Sequence, residues 1–174
     1  MGRVYQNFLV EAARAEEKRD PAWTVQELPQ MLARQKALEV SGRHPAALVV
    51  GADTIVALDG QALGKPRDEA DACRMLRALS GRTHQVYTGV AFCRGGQVCS
   101  SFVQCTEVDF YPLEEERIRW YLASGEPFDK AGAYGIQGLG SLFVKEIRGD
   151  YCNVVGFPLA RAVRELERLM IEDR

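Results

Sequence analysis

The stretch from Ala46 to Pro66, AALVVGADTIVALDGQALGKP, constrains this chain more than any other. The apolar run Ala46 to Val50 holds no charge and is rich in Val, which predicts a strand buried on both faces. Gly51-Ala52 follows, and Asp53 then interrupts a run that otherwise continues as Thr54-Ile55-Val56-Ala57-Leu58. A carboxylate in so apolar a frame must be paired, bound to a metal or protonated, because stranding it costs several kcal/mol. Asp59-Gly60 reads as a turn, and Gly64-Lys65-Pro66 puts a cation on a constrained loop. An acid at a strand end with a lysine on a nearby loop suits phosphate and metal chemistry; a structural Asp–Lys pair is the alternative.

Bulk composition excludes several classes. A length of 174 residues predicts one domain spanning 1–174. A 47% apolar and 26% charged composition supports a core without metal or disulfide staples. The net charge is −2 with both signs interleaved, which argues against nucleic-acid or anionic-membrane partners. Five cysteines, without C-x-x-C spacing, read as core fillers of a reduced protein, and no apolar span is long enough for a membrane helix; a cytoplasmic setting is expected. With only His44 and His84, no zinc cluster is expected.

Along the chain, Asn7 to Val10 reads as a short strand and Glu16 to Asp20 as a charged loop. Thr24 and Glu27 form a capping-box pattern ahead of a helix carrying Leu28, Met31, Leu32, Leu38 and Val40 inward and ending near Ser41-Gly42. Lys36 lies in that helix, where a solvent-facing role is the default. Pro66 and Asp68 open a second helix with Ala72, Met75, Leu76 and Leu79 inward, closed by Ser80-Gly81. His84 to Phe92 and Val98 to Tyr111 read as strands joined at Gly95-Gly96. Acids Glu114 to Glu116 start a third helix, which Gly125 stops.

The segment Phe128 to Gly140 has four glycines, so it needs positive φ angles or close backbone approach. Interleaved Asp129, Lys130 and Gln137 favour a ligand loop that offers N–H groups to an anion, with a simple mobile loop as the alternative. Ser141 to Ile147 reads as a strand. A terminal helix opens at Pro158, with Leu159, Ala162, Val163, Leu166, Leu169 and Met170 inward. Strands and helices alternate, which predicts an α/β fold with a mixed sheet. No G-x-G-x-x-G, P-loop or G-x-S-x-G motif occurs.

The blocks GADTIVALDGQALGKP, LSGRTHQVYTGVA, FDKAGAYGIQG and GDYCNVVGFPL together resemble the Maf family of nucleoside triphosphate pyrophosphatases. The resemblance implies an elongated α/β fold, a mixed sheet flanked by helices, similar to that of the inosine-triphosphate pyrophosphatases. It implies a homodimer, a divalent metal (Mg or Mn), and cleavage of dTTP or UTP to the monophosphate and pyrophosphate. Residue by residue, Asp53 matches the family's proton acceptor. Thr54 and Gln137 match positions tied to substrate choice, and Lys36, Lys65 and Asp129 match polar residues of the pocket. Glu16 or Glu17 also matches a polar residue of the pocket, and the divalent metal so implied is expected on Asp53 with Glu16 and Glu17. The family's opening strand and Ser-x-Ser-Pro-Arg-Arg segment, a phosphate clamp, have no match in the sequence from Met1. That departure gives a second expectation: a nucleotide-binding protein with impaired catalysis.

Overall fold

The structure is a computed structural model that describes residues 8–172, the side chain of Glu172 excepted. Among the described residues ten α-helices and β-strands follow one another: α1 (Leu28–Arg43), β1 (Val49–Leu58), β2 (Gln61–Leu63), α2 (Glu69–Leu79), β3 (Thr83–Arg94), β4 (Gln97–Phe110), α3 (Glu115–Ala123), β5 (Val144–Arg148), α4 (Tyr151–Val155) and α5 (Leu159–Glu172). The strands form one sheet in the order β2-β1-β3-β4-β5, and helices flank it, which is the expected α/β class. β1 turns into β2 through Asp59 and Gly60, both at positive φ as a tight hairpin requires, and the pair is antiparallel with Val56 opposite Leu63. β4 and β5 pair antiparallel with Val108 opposite Ile147, and the register shifts at Asp109/Phe110.

The chain divides into two compact units. One contains the described residues up to Asp53, Gly89–Val103 and the chain from Phe157; the other contains Thr54–Thr88 and Gln104–Gly156. In the first unit, Thr24 and Glu27 make the expected capping box: the Thr24 N–H donates to the Glu27 carboxylate (2.9 Å) and the Glu27 N–H to the Thr24 hydroxyl (3.3 Å). α1 runs on through Gly42 to Arg43. Its buried face differs from the expected stripe: Pro29, Leu32, Ala33, Ala37 and Ser41 are buried, while Leu28, Met31, Leu38 and Val40 are only half-buried. The reason is close approach. A Cβ at Gly51 would lie 2.7 Å from the Ala33 carbonyl oxygen, and one at Gly89 would overlap the Pro29–Gln30 backbone. Small residues let the helix lie directly on the strands, and larger ones would push it off.

β1 also departs from expectation. It begins at Val49 and runs unbroken through Asp53 to Leu58, so the acid lies within the strand, and residues 49–54 are half-buried rather than buried on both faces. Phe8 to Val10 are exposed and outside any strand, while Asn7 lies outside the described residues. Ala162, Leu166 and Leu169 of α5 pack with Val90, Phe92 and Phe102; Met170 is exposed, contrary to its expected place.

The second unit has its own core, in which Met75, Leu76 and Leu79 of α2 meet Ile118, Tyr121 and Leu122 of α3, with Val86, Val108, Phe110 and Phe143. Asp68 caps α2 as predicted, accepting from the Asp71 N–H at 2.7 Å. Arg67 and Arg74 hold Asp71, Arg77 holds Glu115, and Arg82 holds Asp59, so each of these four arginines has a carboxylate partner. The expected strand from Ser141 starts only at Val144, because Leu139–Phe143 winds as a 3-10 turn. Of the cysteines, Cys93 is buried; Cys99 and Cys105 are exposed, against their expected role as fillers. Among the described residues no helix is long and apolar enough to cross a membrane.

Candidate active site

In the first unit, three charged residues come together. Asp53 projects from β1 with its carboxylate largely withdrawn from water, and Lys36 of α1 donates to its Oδ1 at 2.5 Å. The same ammonium lies 2.9 Å from Glu17 Oε1. Glu17 belongs to an irregular segment laid along α1. Gln35 clamps that segment at Lys18 in both senses, accepting its N–H (3.0 Å) and donating to its carbonyl (2.7 Å). Further up the helix, Glu39 accepts the Arg14 N–H at 2.9 Å. Glu16 lines a shallow pocket on this surface with Glu17, Gln35, Lys36 and Glu39.

The electrostatics differ within the trio. Burial pushes the Asp53 carboxyl above its ordinary range; the Lys36 hydrogen bond opposes this without cancelling it, and the Glu17 charge adds to the rise. Burial works to lower Lys36, but hydrogen bonds to Asp53 and Glu17 outweigh it and hold the ammonium protonated. The Lys36 hydrogen bond, foremost, keeps Glu17 below its usual range. The result is a poised acid beside a fixed cation, an arrangement that can take a proton while neutralising a phosphate.

No group of three or more His, Cys, Asp or Glu side chains able to hold a metal occurs among the described residues. Asp53, Glu16 and Glu17 therefore do not make a three-acid seat. Asp53 and Glu17, which share one ammonium, still offer two hard oxygen donors. That suits Mg²⁺, an ion usually held by one or two carboxylates together with phosphates and water.

In the second unit, the hydroxyls of Thr54 and Thr88 lie 2.8 Å apart, and Thr88 donates to the Asn153 carbonyl at 3.0 Å. The fully buried Asn153 amide in turn donates to the Val86 carbonyl (2.9 Å) and to Thr106 (3.0 Å). Thr54 is thus held by a braced network. Lys65 is exposed on the loop before α2, and its charge helps hold Asp129 below its usual range, after the larger effect of the Lys130 hydrogen bond. Gln137 is exposed on the glycine-rich segment. Tyr134 is buried, edge-on to His84 and Phe110, and its hydroxyl is 2.8 Å from His84 Nε2, so it covers the turn and is not available to stack on a base.

A family model described as Maf-like protein matches residues 1–169. The chain belongs to the Maf family. A dTTP/UTP pyrophosphatase of Halalkalibacterium halodurans is 55% identical over 141 residues, covering 81% of this chain and 74% of the relative. One of Symbiobacterium thermophilum is 51% identical over 159 residues, 91% of this chain and 81% of the relative. One of Bacillus velezensis is 47% identical over 165 residues, 95% and 87% respectively.

Two residues of this Maf-family chain brace the candidate groups without a signal in the sequence. Gln35 carries no such signal, because its partner is the backbone of Lys18, which has no side-chain signature. Glu126 carries none for the same reason. Its carboxylate accepts the Leu139 N–H (2.8 Å), the Gly140 N–H (3.2 Å) and the Tyr121 hydroxyl (2.9 Å). The glycine-rich segment does present N–H groups to an anion, but the anion is the chain's own carboxylate.

Proposed function

We propose that this chain is a nucleoside triphosphate pyrophosphatase that hydrolyses dTTP and UTP to the monophosphate and pyrophosphate, with Asp53 as proton acceptor. The observation that carries this reading is the Glu17–Lys36–Asp53 group, where a buried carboxyl of raised pKa is held 2.5 Å from a lysine ammonium. The names of the relatives support the substrate. In the step so assigned, the oxygen of a water attacks the α-phosphorus and its proton passes to Asp53. The bond from that phosphorus to the α–β bridging oxygen breaks, and pyrophosphate leaves with the electron pair. Lys36 neutralises the phosphate charge that builds up, an effect worth about 10²–10³ in rate when one such contact is lost. A divalent ion, held by Asp53 and Glu17, would supply further charge neutralisation at the phosphates.

In the second unit we assign Thr54 and Gln137 to substrate choice, with Lys65 and Asp129 as further substrate-binding residues. Gln137 both donates and accepts, as the edge of a uracil or thymine requires. The network under Thr54 supports that assignment, since a fixed hydroxyl discriminates better than a mobile one. We also assign a homodimer and a cytoplasmic setting. Free cysteines support the latter, and light scattering tests the former.

The deciding experiment measures pyrophosphate release from dTTP, UTP, CTP and 7-methyl-GTP with Mg²⁺, beside an Asp53→Asn variant. Turnover of dTTP and UTP that the variant loses is the expected result. A folded chain that binds UTP without turning over any of the four overturns the hydrolase and leaves a nucleotide-binding protein.

A further inference from the structure

We infer that Glu126 is a positioning residue for Gln137: its carboxylate is the built-in anion around which segment 135–140 is shaped. The proposal rests on the reading above that Gln137 meets the nucleotide base. Glu126 follows Gly125 at the end of α3 and turns its carboxylate back under the segment. There Oε2 accepts from Leu139 N–H at 2.8 Å, and Oε1 accepts from Gly140 N–H at 3.2 Å and from the Tyr121 hydroxyl at 2.9 Å. Tyr121 uses the same oxygen to accept the Gly135 N–H at 3.1 Å. The segment is therefore pinned at both ends, at 135 and at 139–140, with exposed Gln137 between the two pins.

The glycines fit this arrangement. A Cβ at Gly138 would overlap the Glu126 carboxylate, and one at Gly140 would lie 2.7 Å from the Gly135 carbonyl oxygen. Only Gly132 of the four takes a positive φ, 69°. At the other three the backbone closes on Glu126, on the Lys130 stem or on itself, and at Gly140 the nearest atom is backbone, which cannot turn aside. Charge-assisted bonds from backbone N–H groups are among the stronger protein hydrogen bonds, so a carboxylate sets this segment more firmly than a neutral acceptor can.

The test compares the wild-type chain with Glu126→Ala, Glu126→Gln, Gln137→Ala and the Glu126→Ala/Gln137→Ala double variant. Amide exchange of Leu139 and Gly140 should quicken about tenfold or more in Glu126→Ala, as expected when a charge-assisted bond is lost. KM for dTTP and UTP should rise about tenfold while kcat changes far less, and Glu126→Gln, which keeps one carbonyl acceptor, should recover part of the loss. Because Glu126 acts through Gln137, the double variant should bind no worse than Gln137→Ala alone. Additive losses in the double variant, unchanged amide exchange, or kcat and KM worsening together with a fall in Tm would each overturn the proposal. UTP dissociation constants are measured on all five proteins. A wild-type chain without turnover then sinks the hydrolase reading alone, and the Glu126 proposal stands or falls on affinity and exchange.

Discussion

Asp53 and Glu126 are both carboxylates held by donors, and their surroundings push them in opposite directions. Asp53 has one strong donor, Lys36, in a setting where burial wins and the pKa rises. Glu126 is also opposed by burial, but two backbone N–H groups, the Tyr121 hydroxyl and the charge of Lys130 outweigh it and the pKa falls. The difference is between an acid poised to take a proton and one locked in its charged form. The number and kind of donors decide which role a carboxylate plays, since a single flexible ammonium leaves the proton affinity open while fixed backbone dipoles close it.

The largest expected effect comes from removing the poised member. Asp53→Asn should lower kcat for dTTP by about 10²–10⁴, the usual worth of a positioned general base. The acid limb of the kcat/KM profile should lie above the ordinary carboxylate range and vanish in the variant. Stability should separate the two acids as well. Where a folded-state pKa is raised above the ordinary 3.8, as for Asp53, the folded state keeps a proton that the unfolded state has lost. Its contribution therefore falls as pH rises through that window. Glu126, lowered from 4.5, contributes above that value and loses its contribution as pH falls. Urea unfolding from pH 3 to 7 should show the two slopes disappearing separately in Asp53→Asn and Glu126→Gln. Equal slopes in both variants would break the comparison.

A second titration adds a third case beneath the glycine-rich segment. His84 is fully buried, has no partner on Nδ1 among the described residues, and is pushed down from 6.5 to about 4, foremost by burial. The unfolded chain then binds the extra proton between those values, so stability should fall as pH drops from about 6.5 to about 4, by about 3 kcal/mol in all. His84→Gln should flatten that limb in urea unfolding, whereas a wild-type curve already flat there contradicts a buried neutral imidazole.

How much of this was legible in the sequence depends on where the partners lie. The Thr24–Glu27 box, the Asp59-Gly60 turn and the Asp68 cap are readable because each is local in sequence. Asp53 stood out because a charge in an apolar run must have a reason. Hydrophobic size does not mark the buried face of α1, because the close approach of Gly51 selects Ala33 and Ala37, and that of Gly89 brings the Pro29–Gln30 backbone onto the strand. Gly89→Ala sharpens that point: its Cβ meets backbone that cannot turn aside, so a loss of about 1–3 kcal/mol is expected. Gly42→Ala, in α1 itself and with nothing near its Cβ, should cost nothing and act as the control in thermal unfolding.

The smallest effect tests whether the poised acid depends on its surroundings as the locked one does. Gln35 makes no contact with Asp53, yet it clamps Lys18 at N–H and carbonyl, and Lys18 is the neighbour of Glu17. Glu17 in turn shares Lys36 with Asp53 and adds to the rise in its pKa. Gln35→Ala removes two hydrogen bonds near the surface, each worth about 1 kcal/mol at most in net stability. The segment then loosens, Glu17 spends less time on Lys36, and the ammonium turns more fully to Asp53. The acid limb of the kcat/KM profile should therefore move down, while kcat at pH 8 falls only a few-fold. Gln35→Glu keeps an acceptor for the Lys18 N–H and loses the donor to its carbonyl, so its limb should fall between the two. An acid limb that stays in place in both variants would show that Asp53 is set by burial and Lys36 alone. The poised acid would then need no support from the segment before α1, unlike Glu126, whose charge is fixed by the very segment it holds.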